Sequence, residues 1–422
     1  MSQTPTPHPH THPLVFLLLI VPFGAASGFL GVTVVYLLGK AGVDPLTIAV
    51  LTGLSFLPHT FKFLYAPLVD LTLTRKRWFV LSSITSALGL ALLGMVPATE
   101  AGLPWLRILV VVGNIATATL SMSVESLMAY NTAPDELGRT AGWFQAGNLG
   151  GGGLGGGLAL VIAENTTLPW LPGVVLAIVC LLTGLAIRHT AEPPAHVPTS
   201  VPGRVASNAL HAAWHAVLHV FQDLWQVARS RTGYLGLLIC FLPIGSGAAG
   251  NLFPLFAAEW GASANDVAAT SGALSGLLSA VGCMVGGHFC DRMDRRTAYA
   301  LFGALMVACA LLMAWAPHTL TMYYVFVLGY GFIAGLCFAS FTAVTLEAIG
   351  KGAAATKYSI FASLSNTPIA YLGVVNGYFY EKFGSNAGLI SDAAMGVAGI
   401  VVFALVALVS RRLHPRSVQV AH

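Results

Sequence analysis

A chain of 422 residues that is 56% hydrophobic and only 9% charged lies far from the roughly 25% charged of soluble domains, which excludes a soluble globular enzyme and indicates a polytopic membrane protein. The formal net charge of +4 reflects where cations gather between apolar stretches, not a nucleic-acid surface. Cys180, Cys240, Cys283, Cys290, Cys309 and Cys337 all sit in or at the end of such stretches without metal-type spacing and read as small packing residues.

The first dozen residues, rich in Thr, Pro and His with His8, His10 and His12 alternating, are too polar to build a core and are expected to be disordered. Apolar stretches able to cross a bilayer, about 20 residues each, follow near 14–39, 45–69, 78–98, 103–130, 140–163 and 168–187. The first is too long, and its flank too poor in Lys and Arg, for a cleavable signal peptide, so it is expected to stay as a helix. A charge within hydrocarbon costs a few kcal/mol even on lenient scales, which makes ionisable residues inside spans functional candidates. The second span carries His59 and Lys62, three apart on one helix face. Lys62 lies roughly 12 Å of helix from Asp70, inside the membrane. It suits a cation that attracts an anionic substrate group; the alternatives are a structural ion pair with Glu125 or a side chain that snorkels to the surface. Glu125, late in the fourth span, reads either as a proton carrier or as a helix-end gate partner.

Ala66-Pro67-Leu68-Val69-Asp70 followed by Arg75-Lys76-Arg77 forms a charged turn after the second span. Asn114, Gln145 and Asn148 are polar groups that membrane helices turn inward, and Gln145 and Asn148, three apart, suit a cavity wall; interhelical hydrogen bonding is the plainer alternative. The glycine-rich run from Gly147 to Gly157 lacks the Lys-Ser/Thr ending of a phosphate loop and lies in an apolar span, so it reads as a close helix-packing face.

A proline-rich connector from about Ala191 to Arg204 leads into an expected amphipathic helix up to Arg229, with Leu210, Trp214, Val217, Leu218, Phe221 and Trp225 at helical spacing. His211, His215 and His219 line up beside that stripe without carboxylate or cysteine partners, which disfavours a metal. Further stretches follow near 233–258, 265–290, 298–316, 320–348, 357–380 and 389–410. The seventh span offers Asn251, the eighth His288, the tenth Glu347 and the eleventh Asn366 and Asn376. Glu347 occupies a place comparable to Glu125 and carries the same two readings. A second charged turn, Gly287 with Asp291-Arg292 and Asp294-Arg295-Arg296, again follows the second span of its half.

The duplication is regular. Gly39 to Ala49 lines up with Ala258 to Ala268 at an offset of about 219, and Asn148 matches Asn366 at nearly the same spacing. Constant spacing over several landmarks implies two six-span halves, as in transporters that rock about a midplane site. Of the 20 lysines and arginines, all but Lys40, Lys62, Arg107 and Lys382 fall on one side if both termini are inside, which predicts an even number of spans with cytoplasmic termini. Asp70, Arg75, Arg77, Gly287, Asp291, Arg292, Arg295 and Arg296 are then gate residues, acting on conformational balance rather than on substrate choice.

The second turn resembles the G-x-x-x-D-R-x-G-R-R/K signature of the major facilitator superfamily, with Asp294 where that pattern has Gly. The run from Leu57 to Asp70 resembles the K-F-L-W-A-P-L-x-D motif of the branch containing muropeptide permeases, acetyl-coenzyme A transporters and certain siderophore importers. That resemblance carries the motif Lys and Asp onto Lys62 and Asp70, and implies bulky anionic substrates moved with protons. Two departures stand out: many muropeptide permeases have extra spans, and the fourth-span Asp of the pattern is Glu125 here.

The expectation is an all-α membrane protein of twelve transmembrane helices in two pseudo-symmetric six-helix halves, 1–190 and 233–422, joined by 191–232. Its expected work is proton-coupled import of an organic anion, with His59, Lys62, Glu125, Gln145, Asn148, Asn251, Glu347 and Asn366 as substrate or coupling residues. The rivals are a proton-driven exporter of amphipathic compounds and a non-transporting receptor; the fifth-span Gly-Pro pair of drug exporters is absent. No nucleophile, base and orienting group occur together, and no cofactor motif is present, so neither enzymatic activity nor a cofactor is expected beyond a proton gradient. The partners expected are a small anionic solute, protons and membrane lipid, with the chain a monomer in a bacterial inner membrane.

Overall fold

The computed structural model describes residues 11–192, 222, 225, 226, 228–350 and 354–413. The connector from residue 193 on, the apolar stripe of the expected amphipathic helix up to Phe221 with its histidine row, and His8 and His10 lie outside them. All regular structure among the described residues is helical. In chain order the helices are α1 (Pro13–Lys40), α2 (Pro45–Thr60), α3 (Lys62–Leu71), α4 (Arg75–Met95), α5 (Leu103–Asn131), α6 (Leu137–Asn165), α7 (Leu171–Gly184), α8 (Arg231–Phe241), α9 (Asn265–Cys290), α10 (Arg295–Trp315), α11 (Leu320–Ile349), α12 (Ala354–Leu364), α13 (Asn366–Phe383) and α14 (Ser385–Leu413). Nine of the described helical runs are long and apolar enough to cross a membrane.

The stretches 45–69, 233–258 and 357–380, expected as continuous spans, are broken helices. Pro58 precedes the first break, where Phe61 leaves helical geometry and α3 starts afresh at Lys62. The Pro58 carbonyl, which a continuous helix would bond to the Lys62 amide, instead accepts the Tyr65 hydroxyl at 3.1 Å. In the second, Pro243 and the left-handed Gly245 and Gly247 separate α8 from short helical turns between Ala248 and Trp260. Four tyrosines occupy the carbonyls of that run: Tyr371 donates to Phe241 O, Tyr299 to Ile244 O, Tyr323 to Phe253 O and Tyr380 to Leu255 O. The third break falls at Ser365, three residues before Pro368, whose missing N–H cannot serve the preceding turn. Released carbonyls in hydrocarbon need such partners.

Helix α6 is the pivot of the packing. One face lies on α1 and another on α9, and α9 also packs against α11. The glycine run makes this possible: a Cβ on Gly28 would stand 1.9 Å from the Gly152 carbonyl oxygen. Gly28→Ala is therefore expected to destabilise the protein by about 1–3 kcal/mol, whereas Gly31→Ala, with nothing within 4 Å of the new methyl, should be close to neutral. Thermal unfolding of the two variants in nanodiscs checks this; equal midpoints would remove the close α1–α6 contact as a constraint.

Candidate functional site

The break at Phe61 sets Lys62 at the first position of α3, with its side chain turned into the bundle. Its side chain is 8% exposed and that of Glu125 is 4% exposed, and Lys62 Nζ lies 2.9 Å from Glu125 Oε1 and 3.2 Å from Oε2. Ser121, one turn earlier on α5, donates to Glu125 Oε1 at 2.6 Å. The Lys62 ammonium also stands 5.7 Å from the centroid of the Tyr358 ring on α12, where the negative ring face attracts a cation. Tyr358 continues the contact: its hydroxyl is 3.3 Å from Thr342 Oγ1 on α11, and Gln145 on α6 donates to that same oxygen at 2.8 Å. Asn148 donates to Gln145 Oε1 at 3.0 Å. A polar chain thus crosses the bundle from α3 and α5 through α12 and α11 to α6. It contains one cation and one anion, so it is neutral as a whole while each charge depends on the other.

His59, one turn before Lys62, is 2.9 Å from Asn114 Oδ1 and meets the Phe23 ring edge-on at 5.1 Å. Asn114 Nδ2 donates to Val110 O, which orients the amide and leaves His59 Nε2 as the donor.

At the end of the bundle that carries the charged turns, each turn closes on a helix far along the chain. Asp70 accepts from the Thr356 amide at 2.9 Å, its hydroxyl at 2.8 Å and the Ala355 amide at 3.4 Å, at the start of α12, with Arg75 at 3.6 Å. Asp291 accepts from the Gly138 and Arg139 amides at 2.7 and 2.9 Å, at the start of α6, and from Arg139 Nε at 3.1 Å. In both places a carboxylate meets the amides and the positive dipole end of a helix. Gly287 permits the approach, for a Cβ there would stand 2.4 Å from Gly138 O. Arg295 and Arg296 each reach Glu347 at 3.3 Å, and Arg295 also donates to Pro134 O at 2.6 Å. The side chains of Arg77 and Arg292 make no ion pair among the described residues.

The model of the family described as Major Facilitator Superfamily matches residues 16–373. The chain belongs to that superfamily. The anhydromuropeptide permeases of Escherichia coli strain K12 and of Escherichia coli O157:H7 are each 26% identical to it over 360 residues, 82% of this chain and 69% of theirs. Among solved structures, the human organic anion transporter MFSD10 (TETRAN) superposes with a TM-score of 0.69 at 18% identity, over 94% of this chain and 100% of that one. The superfamily transporter FucP in the outward conformation superposes with a TM-score of 0.64 at 17% identity, over 93% and 98%. These structures share the fold. As a member of the superfamily the protein is a multi-pass membrane transporter of small-molecule solutes and not an enzyme.

Within this transporter, four of the sequence candidates, Lys62, Glu125, Gln145 and Asn148, belong to one connected chain. Glu347 lies apart from them, paired with Arg295 and Arg296. Asn251 and Asn366 are exposed and make no side-chain hydrogen bond among the described residues. Sequence reasoning passed over Tyr358 and Thr342, which carry the connection between α12, α11 and α6. It also passed over Asp392, although an acid inside the apolar stretch 389–410 is the same signal that singles out Glu125.

Proposed function

We propose that the protein is a proton-coupled importer of an organic anion that works by alternating access between two six-helix units, 1–190 and 233–422, joined by a connector at 191–232. The three broken helices complete twelve spans, both termini are cytoplasmic, and the charged turns line the cytoplasmic face of a bacterial inner membrane. The described state is then closed toward the cytoplasm, with Asp70, Asp291 and Glu347 and their partners as the gate. The chain acts as a monomer and needs no cofactor beyond the proton gradient.

The observation that carries this reading is the buried Lys62–Glu125 pair of the first unit, with the Tyr358 ring of the second beside it. A proton on Glu125 removes the counter-charge of Lys62, and an uncompensated ammonium in a low-dielectric site attracts an anion strongly. Binding of the anion and of the proton therefore favour each other, and the loaded site is again neutral. Tyr358 and Thr342 extend the site into the second unit, Gln145 and Asn148 bring it back to the first, and all four supply hydrogen-bonding groups for a polar substrate. His59 and Asn114 lie one turn away, while Asn251 and Asn366 are exposed candidates on the second unit. The relatives named anhydromuropeptide permease support a muropeptide as the first substrate class to test, ahead of acyl-coenzyme A and siderophore-like anions. Export of amphipathic cations is less well served, since the acid in this chain is already neutralised by Lys62.

A thermal-shift series against muropeptides, coenzyme A esters, ferric siderophores and cationic dyes tests the reading, because a ligand of the folded state at a hundred times its Kd stabilises by about 2.7 kcal/mol. The expected result is a shift with one anionic class, larger at low pH and absent in the Lys62→Ala/Glu125→Gln double variant. Shifts from cationic dyes alone would replace import with export.

A further inference from the structure

The second unit buries a carboxylate that this mechanism leaves unused. Asp392 on α14 is 7% exposed. Its Oδ1 accepts one hydrogen bond, from Asn376 Nδ2 on α13 at 2.7 Å. The amide of Asn376 is held in turn by Ser391, whose hydroxyl donates to Asn376 Oδ1 at 2.8 Å and also lies 2.8 Å from Gly388 O. No Lys, Arg or His among the described residues pairs with Asp392, and its surroundings amount to burial and the Asn376 amide.

The charged groups of the surrounding elements stand toward the element ends: Arg295 and Arg296 at the start of α10, Glu347 late in α11, Glu381 and Lys382 at the end of α13, and Glu259 against Ser385 at the start of α14. The titratable groups farther inside are neutral. From α11 comes Tyr330, whose hydroxyl is buried without a hydrogen-bond partner among the described residues, within electrostatic range of Asp392 and beside the Ala249 backbone. From α10 come Tyr299, bonded to Ile244 O, and Cys309, 3.9 Å from Phe326 O. From α13 come Tyr371 and Tyr380, bonded to Phe241 O and Leu255 O. On the facing side is the broken run after α8: a Cβ on Gly388 would meet the Leu252 side chain at 3.0 Å, and one on Gly399 the Pro243 ring at 2.9 Å. The buried acid and the helix break, with Tyr330 within electrostatic range, therefore form one cluster, on the opposite side of the bundle from the gate carboxylates if α14 runs from the far face to the cytoplasm.

A carboxylate buried in a membrane helix without a cation takes a counter-ion or a proton. A metal cation needs several oxygens at once. Here Asn376 presents its N–H to Asp392, and the Ser391 hydroxyl is engaged with two other acceptors, so no oxygen cage is assembled. A proton needs a single oxygen. Once protonated, Asp392 is neutral, and its burial no longer carries an uncompensated charge.

We propose that Asp392 is a proton-binding site separate from the Lys62–Glu125 pair, and that its occupancy sets the geometry of the helix break between Leu242 and Gly247. The step is a simple protonation: a proton from the extracytoplasmic water adds to Asp392 Oδ2, the anion becomes the neutral acid, and no other bond forms or breaks. The inference rests on the proton-coupled reading above and adds a second site to it.

The test uses the full chain in nanodiscs without ligand. Infrared difference spectra are taken across a pH titration for the wild type, Asp392→Asn, Asp392→Glu and Glu125→Gln, with parallel spin-label distances between exposed Thr167 and Lys382. The expected result is a protonated-carboxyl band and a distance change that titrate together, persist in Glu125→Gln, move in Asp392→Glu and vanish in Asp392→Asn. If both persist in Asp392→Asn and vanish in Glu125→Gln, the inference is overturned while the central proton site stands. A wild type with no pH response overturns both. Sodium that removes the acid band at fixed pH overturns the proton as the occupant. The Asp392→Glu variant keeps the test open if Asp392→Asn does not fold.

Discussion

Lys62→Ala is expected to abolish uptake and to destabilise the protein by about 3–5 kcal/mol, because removing one partner of a buried pair leaves the other charge uncompensated. Glu125 would keep the Ser121 hydroxyl as a donor, and one neutral hydrogen bond does not replace an ammonium at 2.9 Å. The lost cation–aromatic contact with Tyr358 adds about 0.5–2 kcal/mol. The informative comparison is with Lys62→Ala/Glu125→Gln. That variant removes both charges and keeps an acceptor for Ser121, so it should recover most of the stability and none of the transport. Unfolding midpoints and uptake by proteoliposomes, taken for both single variants and the double, give the coupling between the two residues. A Lys62→Ala protein as stable as the wild type would show that Glu125 is neutral when alone. Uptake by the double variant would remove Lys62 from substrate binding.

How far the site was legible in the sequence follows from how each contact is made. The charged turns were readable because Asp70 and Asp291 stand in dense charge patterns between apolar stretches. What they grip was not readable, since the amides at the starts of α12 and α6 belong to helices distant in the chain and carry no side-chain signature. Lys62 and Glu125 could be named as possible partners from their depth in neighbouring spans. Tyr358 and Thr342 could not, for a tyrosine and a threonine in apolar helices are ordinary until the packing brings them to a lysine and a glutamine. The repeat also misled by its regularity. Glu125 and Glu347 sit late in corresponding spans, yet the residue one repeat on from Lys62 is Val281. Without a cation there, Glu347 pairs with Arg295 and Arg296 instead. The helix breaks had visible prolines at Pro58, Pro243 and Pro368, but a proline in a membrane helix gives a kink or a break according to whether something takes the freed carbonyls. Around Pro243 the tyrosines that do so come from other helices, whereas the Pro58 carbonyl is taken by Tyr65 of the same span.

The Asp70→Asn/Asp291→Asn variant is expected to lose the closed state at the charged end. Each carboxylate accepts two amide hydrogen bonds across the bundle and faces a helix N-terminus, and each has an arginine beside it. An asparagine carbonyl preserves one acceptor and loses the charge, so each change should cost about 1–2 kcal/mol in that state. The two sites share no partner, so the costs should nearly add, shifting the conformational balance roughly 30-fold to 700-fold at 1.4 kcal/mol per factor of ten. Spin labels at exposed Leu73 and Arg292 report the separation of the two units at this end. The wild type should give mainly the short distance, each single variant a mixture, and the double variant mainly the long one. Fold stability should change little, because the lost contacts lie between the units. An unchanged short distance in the double variant would mean that the α6–α9 glycine seam holds this end closed, and the two carboxylates would then be ordinary helix caps.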